Sequence, residues 1–292
     1  MSKTAKMSIT VFTDPMMGLS YESEPFFRKL ETHYRHEIGF RQVMSGLVRN
    51  VYDFVSPGDL VHGEEYAINR YLVKLARIYK SEEVITGMPI NMHNLRLFSP
   101  SRTSSVPLNL AVKAAELCDV TSAPHFLYNL RFATVAECRP TTEFTELVRI
   151  AGESGINTTD FTRHYTDGSA QNALDEDFRL RGKWKISRLP AYLLQYEERS
   201  VLLEGVTDYH TFSHVIETLT DGEMIPAEPE MSTGYIAAFI AEHPLISWIE
   251  LREAFGLASE KQVTEVIQPL IASGQISLVY VPGGWFIRWR RR

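Results

Sequence analysis

The stretch VFTDPMMGLSYESEPFFRKL, from Val11 to Leu30, holds the residues best placed for chemistry. An apolar strand runs into Asp14-Pro15, a short turn, and then an amphipathic helix. Cysteines at positions 17 and 20 of such a turn would sit at a helix N-terminus. There, free N–H groups and the helix dipole lower a thiol's pKa. The first thiolate would attack a disulfide sulfur and the second thiol would resolve the mixed disulfide. This chain has Met17 and Ser20 instead. A thioether cannot ionise, and a serine hydroxyl needs a base to become nucleophilic. No His or Lys lies in the turn or the first helical turn; His33 and His36 come three or more turns later. Dithiol catalysis is therefore not expected at Met17–Ser20. Ser20 reads as a helix N-cap. Met17 reads as an apolar plug, or as a soft contact for a bound peptide or apolar ligand.

The remaining candidates are weaker. Cys118 and Cys138 fall in segments that read as helix, lie outside any Cys-x-x-Cys spacing, and are expected to be buried and reduced. His62, His93, His125 and His164 are scattered. His210 and His214 form an i, i+4 pair that could bind a metal, but no third ligand or His-Glu-x-x-His pattern accompanies it. They read as solvated or core histidines, and no metal or cofactor is expected.

The elements that must position these residues begin with a strand over Ser8–Thr13, a helix over Tyr21–Glu37 and a strand over Phe40–Val48. In the helix, Phe26, Phe27, Leu30 and Tyr34 share a face. That β-α-β unit has parallel strands if its crossover is right-handed. A helical block follows. Glu64–Lys80 sets Ile68, Tyr71, Leu72, Leu75, Ile78 and Tyr79 at helical spacing, and further helices are expected from Val106, over Pro124–Glu137, Thr142–Ser154, Thr159–Tyr165 and Ser169–Arg181. Leu189–Tyr196 and Ser200–Val206 then read as strands, and DYHTFSHVIETL as a closing helix. This order is a thioredoxin fold, α/β, with a large helical insertion: residues 1–60 and 182–222 form the thioredoxin unit and 61–181 the insertion.

After an acidic, proline-containing linker over 223–231, residues 232–292 read as three helices and a β-hairpin, a small winged-helix-like domain. From Met224 onward there are six Lys/Arg and seven Asp/Glu, so this end has no basic footprint for nucleic acid. The terminal RWRRR is a basic tail, and Trp285, Phe286 and Trp289 read as hairpin core. A protein-interaction or dimerisation role fits better. The whole chain has 292 residues, 44% of them hydrophobic, enough for a sizeable core, and a net charge of −6. That balance calls for neither nucleic acid nor an anionic membrane. The N-terminal MSKTAKMSITVF is not a signal peptide and no segment approaches a membrane span, so a cytoplasmic chain is expected.

Four pieces of the first 222 or so residues carry a resemblance: TDPMMGLSY, VMSGLVRN from Val43, SPSRTSSVPLNLAVKAAEL from Ser99, and ISRLPAYLL from Ile186. In that order, they resemble the DsbA family of thioredoxin-like proteins. The similar branch is the cytoplasmic one that includes FrnE-like proteins and the DsbA-like adaptor of the ClpXP protease. The resemblance implies that Met17 and Ser20 stand where the family's cysteines would be, and that Leu189–Pro190 is a cis bond. It also implies a groove in which Pro15, Met17, Gly18, Ser20, Tyr21, Arg188, Leu189 and Pro190 hold a protein or extended peptide, or a small apolar or thiol ligand. The residue before a cis proline would offer its N–H and C=O to an added strand, and Arg188 would bring charge beside it or stay solvated. The implied function is a silenced redox protein acting as a binding or adaptor protein. The alternative is an enzyme: a thiol-disulfide oxidoreductase or protein disulfide isomerase, or a glutathione-dependent kappa-class-like enzyme acting through Ser20.

Overall fold

The computed structural model describes residues 5–290. Its first sheet is four-stranded, in the order β2-β1-β3-β4, with β1 Met7–Thr13, β2 Ile38–Met44, β3 Ala191–Tyr196 and β4 Arg199–Glu204. β1 pairs parallel with β2 and antiparallel with β3. Only Ser8 of β1 is exposed, because an interior strand covered on both faces need not alternate. Met7, Ile9 and Val11 pack on α2 (Glu24–His33) and α10 (Tyr209–Leu219). Phe12 packs on the other face with Ala191, Ile186 and the partly buried Leu180.

The expected helix over Tyr21–Glu37 is two helices, α1 Gly18–Glu22 and α2. Pro25 has no N–H for the helix ladder, and Ser23 turns back to bond Tyr21 and Leu19 carbonyls. The insertion contributes α3 Pro57–Leu60, α4 Glu64–Glu82, α5 Val106–Cys118, α6 Ala123–Val135, α7 Phe144–Glu153, α8 Thr158–Thr166 and α9 Ser169–Lys183. Two expectations change here. Cys138 lies beyond α6 in irregular backbone, at φ 56°, and Ile78 faces outward, 41% exposed. Both cysteines are free and half-buried, and burial pushes both thiols up.

The C-terminal residues form α11 Thr233–Glu242, α12 Trp248–Ala254, α13 Glu260–Ala272 and a second sheet in the order β5-β7-β6. Its strands are β5 Leu245–Ser247, β6 Ile276–Val281 and β7 Gly284–Trp289, so a third strand joins the expected hairpin. Ser247 caps α12 in a capping box with Glu250. These elements have their own core, built on Ile236, Ile246, Val263 and Ile287. They also rest on the first unit: Phe286 lies edge-on to Phe132 of α6, centroids 4.6 Å apart. The segment expected as a linker is pinned to α2 by the Ala227 N–H, which donates to the His33 carbonyl at 2.9 Å. Arg291 and Arg292, the end of the basic tail, lie outside the described residues.

Candidate functional site

The turn after β1 is organised by Asp14. One carboxylate oxygen accepts the Met16 N–H at 3.0 Å. The other accepts the Leu47 N–H at 2.7 Å, the Ser105 hydroxyl at 2.8 Å and the Asn109 amide at 2.8 Å. Burial pushes this carboxyl up, and the four donors oppose it. Asp14 thus gathers three separated stretches: its own turn, the SGLVRN segment, and the serine-rich entry to α5. Nothing local to Asp14 marks this role, because two of its partners, Ser105 and Asn109, lie 91 and 95 residues away in the chain.

Met17 is the N-cap of α1, and no side chain caps that end. The capping expectation for Ser20 is corrected: Ser20 lies inside the helix, where its hydroxyl accepts from Thr13 Oγ1 at 2.7 Å and donates to Met17 Sδ at 3.2 Å. Thr13 in turn accepts from Arg131 Nη2 at 2.8 Å. No base touches Ser20 in this arrangement. Pro15, Met17, Gly18, Ser20 and Tyr21 are all buried, Met17 being 4% exposed. Helix α4 closes over them. Tyr79 of α4 donates its hydroxyl to the Met16 carbonyl. A Cβ on Gly18 would run into the Glu82 carboxylate and stand 2.7 Å from the Tyr79 ring, so a larger residue there must displace α4 side chains. Glu82 Oε2 is buried without a partner among the described residues, and burial pushes this carboxyl up to about 7. Tyr21 points away from the turn's surface and donates to the Pro89 carbonyl at 2.9 Å.

The other half of the expected groove is Arg188-Leu189-Pro190. The Leu189–Pro190 bond is cis. Pro190 is buried and its carbonyl accepts the Gly205 N–H at 2.7 Å. Arg188 is exposed, and its backbone N–H donates to Glu204 Oε1 at 3.0 Å. Leu189 is half-buried, and among the described residues its N–H and C=O take no hydrogen-bond partner. Since Met17 and Pro190 are both buried, solvent meets Arg188 and parts of Leu189 and Leu19, not Met17 or Ser20.

Arg131 joins this turn to a second polar centre. It is 2% exposed, and its Nη1 pairs with Glu24 Oε1 at 2.5 Å. Glu24 also takes Arg28 Nη2 at 2.8 Å, while Arg28 reaches Glu31 at 2.7 Å and Glu250 of α12 at 3.3 Å. Tyr128 donates to Glu250, and Thr32 donates to the Ala254 carbonyl at 2.6 Å. An unbroken buried chain therefore runs from Met17 through Ser20, Thr13, Arg131, Glu24 and Arg28 to the C-terminal elements. Burial alone would raise Glu31, but Arg28 and His243 outweigh it and hold Glu31 down at about 2. Arg131 was legible in principle. It is the one strongly charged residue in APHFLYNLRFATV, a helix apolar nearly all round, which must bury and pair such a charge. Among the described residues, no three His, Cys, Asp or Glu side chains group as a metal would require, and no helix is long and apolar enough to cross a membrane.

A family model described as Thioredoxin matches residues 10–214. A relative from Halalkalibacterium halodurans named ClpXP adapter protein SpxH is 22% identical over 98% of this chain and 90% of its own length. Among solved structures, the chain is similar to a candidate protein disulfide isomerase from Nitrosomonas europaea, with TM-score 0.60 and 16% identity over 75% of this chain and 99% of that one. It is also similar to the cytosolic disulfide reductase DsbM from Pseudomonas aeruginosa, with TM-score 0.53 and 19% identity over 73% of this chain and 98% of that one. At these identities the structures show the fold alone: a DsbA-like thioredoxin fold with a helical insertion.

Proposed function

We propose, from the premise that this chain belongs to the thioredoxin family, that it is a cytoplasmic protein-binding adaptor whose redox centre is absent. The observation that carries this reading is the closed turn: Met17 and Ser20 occupy the place of a dithiol, bonded to each other under α4 with no base at hand. In this reading, residues 1–60 and 182–222 are the thioredoxin unit, 61–181 the insertion, 223–231 the linker and 232–292 a winged-helix-like module. The unpaired backbone of Leu189, with Arg188 beside it, is where an extended peptide of a protein partner could add. The likeness to relatives named ClpXP adapter supports delivery of that partner to a ClpXP-type protease.

Two assays test the two halves. In dithiothreitol-driven insulin reduction, the native chain is expected to show background activity only; activity above background ends the silenced-site reading. The Met17→Cys/Ser20→Cys variant is expected to gain activity. In ClpXP proteolysis reconstituted with proteins that co-purify with the chain, at least one is expected to be degraded faster in its presence. Unchanged turnover of all of them would sink the adaptor role.

A further inference from the structure

The inner face of α4 lies on the motif turn, and much of its outer face is exposed among the described residues. Arg70, Val73, Lys74 and Arg77 lie at i, i+3, i+4 and i+7 and are all exposed, Val73 at 51%. Among the described residues, Arg70, Lys74 and Arg77 form no hydrogen bond or ion pair. This is an unpaired basic stripe on a chain of net charge −6.

Two troughs flank the stripe. One, of about 430 Å³, is lined by all four stripe residues together with Phe54, Tyr71 and the carboxylates of Asp53 and Asp59. The other, of about 560 Å³, has Val73, Ala76, Ile90 and Met92 as its apolar walls and the hairpin tip at Pro282–Gly283 as its far edge. No acidic residue lines the second trough, and Arg77 and Lys80 stand on its edge. Lys80 is already committed, to Glu83 and the Ile90 carbonyl, which leaves Arg77 and the stripe beyond it to receive charge.

We propose that this face of α4 docks an acidic, partly apolar peptide segment of a protein partner. The apolar side chains of the segment enter the second trough, and its carboxylates lie along Arg77, Lys74 and Arg70. The trough supplies residence time; the cations supply orientation and encounter rate, which is what exposed charges do best. A protein segment fits better than a nucleic acid because the second trough is walled by aliphatic side chains, whereas unpaired bases need aromatic faces to stack on; the aromatic faces nearby, Phe54 and Tyr71, share the first trough with Asp53 and Asp59, which repel phosphate. The inference deepens the adaptor reading by naming the chemistry of the segment held.

The test uses the full chain at physiological salt, with fluorescence anisotropy of four probes. These are a peptide mixing Glu/Asp with Leu/Phe, its Lys/Arg twin, an all-Glu peptide, and single-stranded RNA. The mixed acidic peptide is expected to bind best. Arg70→Glu/Lys74→Glu/Arg77→Glu should weaken it by about tenfold or more, Val73→Ser should weaken it without changing its salt dependence, and circular dichroism should be unchanged. The Arg70→Gln/Lys74→Gln/Arg77→Gln variant repeats the test should charge reversal disturb the helix. Equal binding by native and neutralised chains, equal binding of the all-Glu peptide, or tighter binding of RNA would each overturn the proposal. The same variants in the ClpXP assay separate the two readings. Lost peptide binding with intact stimulation removes this surface and leaves the adaptor. Peptide binding without any stimulation by the native chain removes the adaptor and leaves the surface.

Discussion

Two polar centres lie along α1 and α2, and they are buried by different means. The motif turn, Met17 to Ser20, is closed with neutral groups: Thr13 to Ser20, Ser20 to the Met17 sulfur, Tyr79 to a backbone carbonyl. The seam around Arg28 is closed with charges: Arg28 faces Glu24, Glu31 and Glu250 at once. Neutral closure holds the turn through short bonds to near neighbours. Charged closure is costly unless every partner is present, so the seam makes the first unit depend on the C-terminal elements, which supply Glu250. The turn is held by bonds within the first unit, and the seam ties that unit to the C-terminal elements.

The sharpest way to break that contrast is Arg28→Ala. It would leave Glu31 and Glu250 buried without their cation, and should cost about 3–5 kcal/mol in a urea melt. A cost below about 1 kcal/mol would mean that the seam is solvated like a surface pair. Asp14→Ala comes next, at about 3 kcal/mol, because it orphans the Leu47 and Met16 N–H groups and takes one bond each from Ser105 and Asn109, which keep the Val48 and Ser105 carbonyls. On the turn itself, Gly18→Ala drives a methyl into Glu82 and Tyr79 and should cost about 1–3 kcal/mol. Part of that cost should return in Gly18→Ala/Glu82→Ala. Strict additivity of the two changes would show that α4 does not lie on the turn.

The same contrast explains what could be read from the chain. Helices long enough to show a 3.6-residue period were legible, as over Glu64–Lys80, which the structure extends only to Glu82. The capping pair Ser247 and Glu250 marks the start of α12 in the sequence itself. Breaks were harder to see: Pro25 divides one apparent helix into α1 and α2. The three-residue strand β5 is too short to carry a pattern. The seam was not legible. Glu24, Arg28 and Glu31 at i, i+4 and i+7 read as an exposed, salt-bridged helix face. What buries them arrives 222 residues later in the chain, with Glu250, and no local spacing carries that information. At the turn, residue types excluded dithiol chemistry directly, but that α4 seals it depends on which face of a distant helix lands there.

The smallest effect expected concerns the proton on Glu82. Burial holds this carboxyl up at about 7, against an ordinary 4.5. Between those two values the folded chain keeps a proton that the unfolded chain has released. Stability therefore falls as pH rises through the window and levels off above it. Glutamine imitates the protonated form and has no such slope. The full shift would correspond to about 3 kcal/mol, but Glu82 is partly exposed and solvent screening reduces this to about 1 kcal/mol. Glu82→Gln should thus stabilise the chain by about 1 kcal/mol above pH 7, and leave it unchanged at pH values below the ordinary glutamate range. Urea melts at the two ends of the window read this directly. If the gain were the same at both ends, the effect would come from packing, and Glu82 would not titrate against the turn. If it appeared only at the upper end, the side chain that α4 places against Gly18 would be a carboxyl kept neutral by burial. That is the chemical opposite of the thiolate that such a turn would otherwise stabilise.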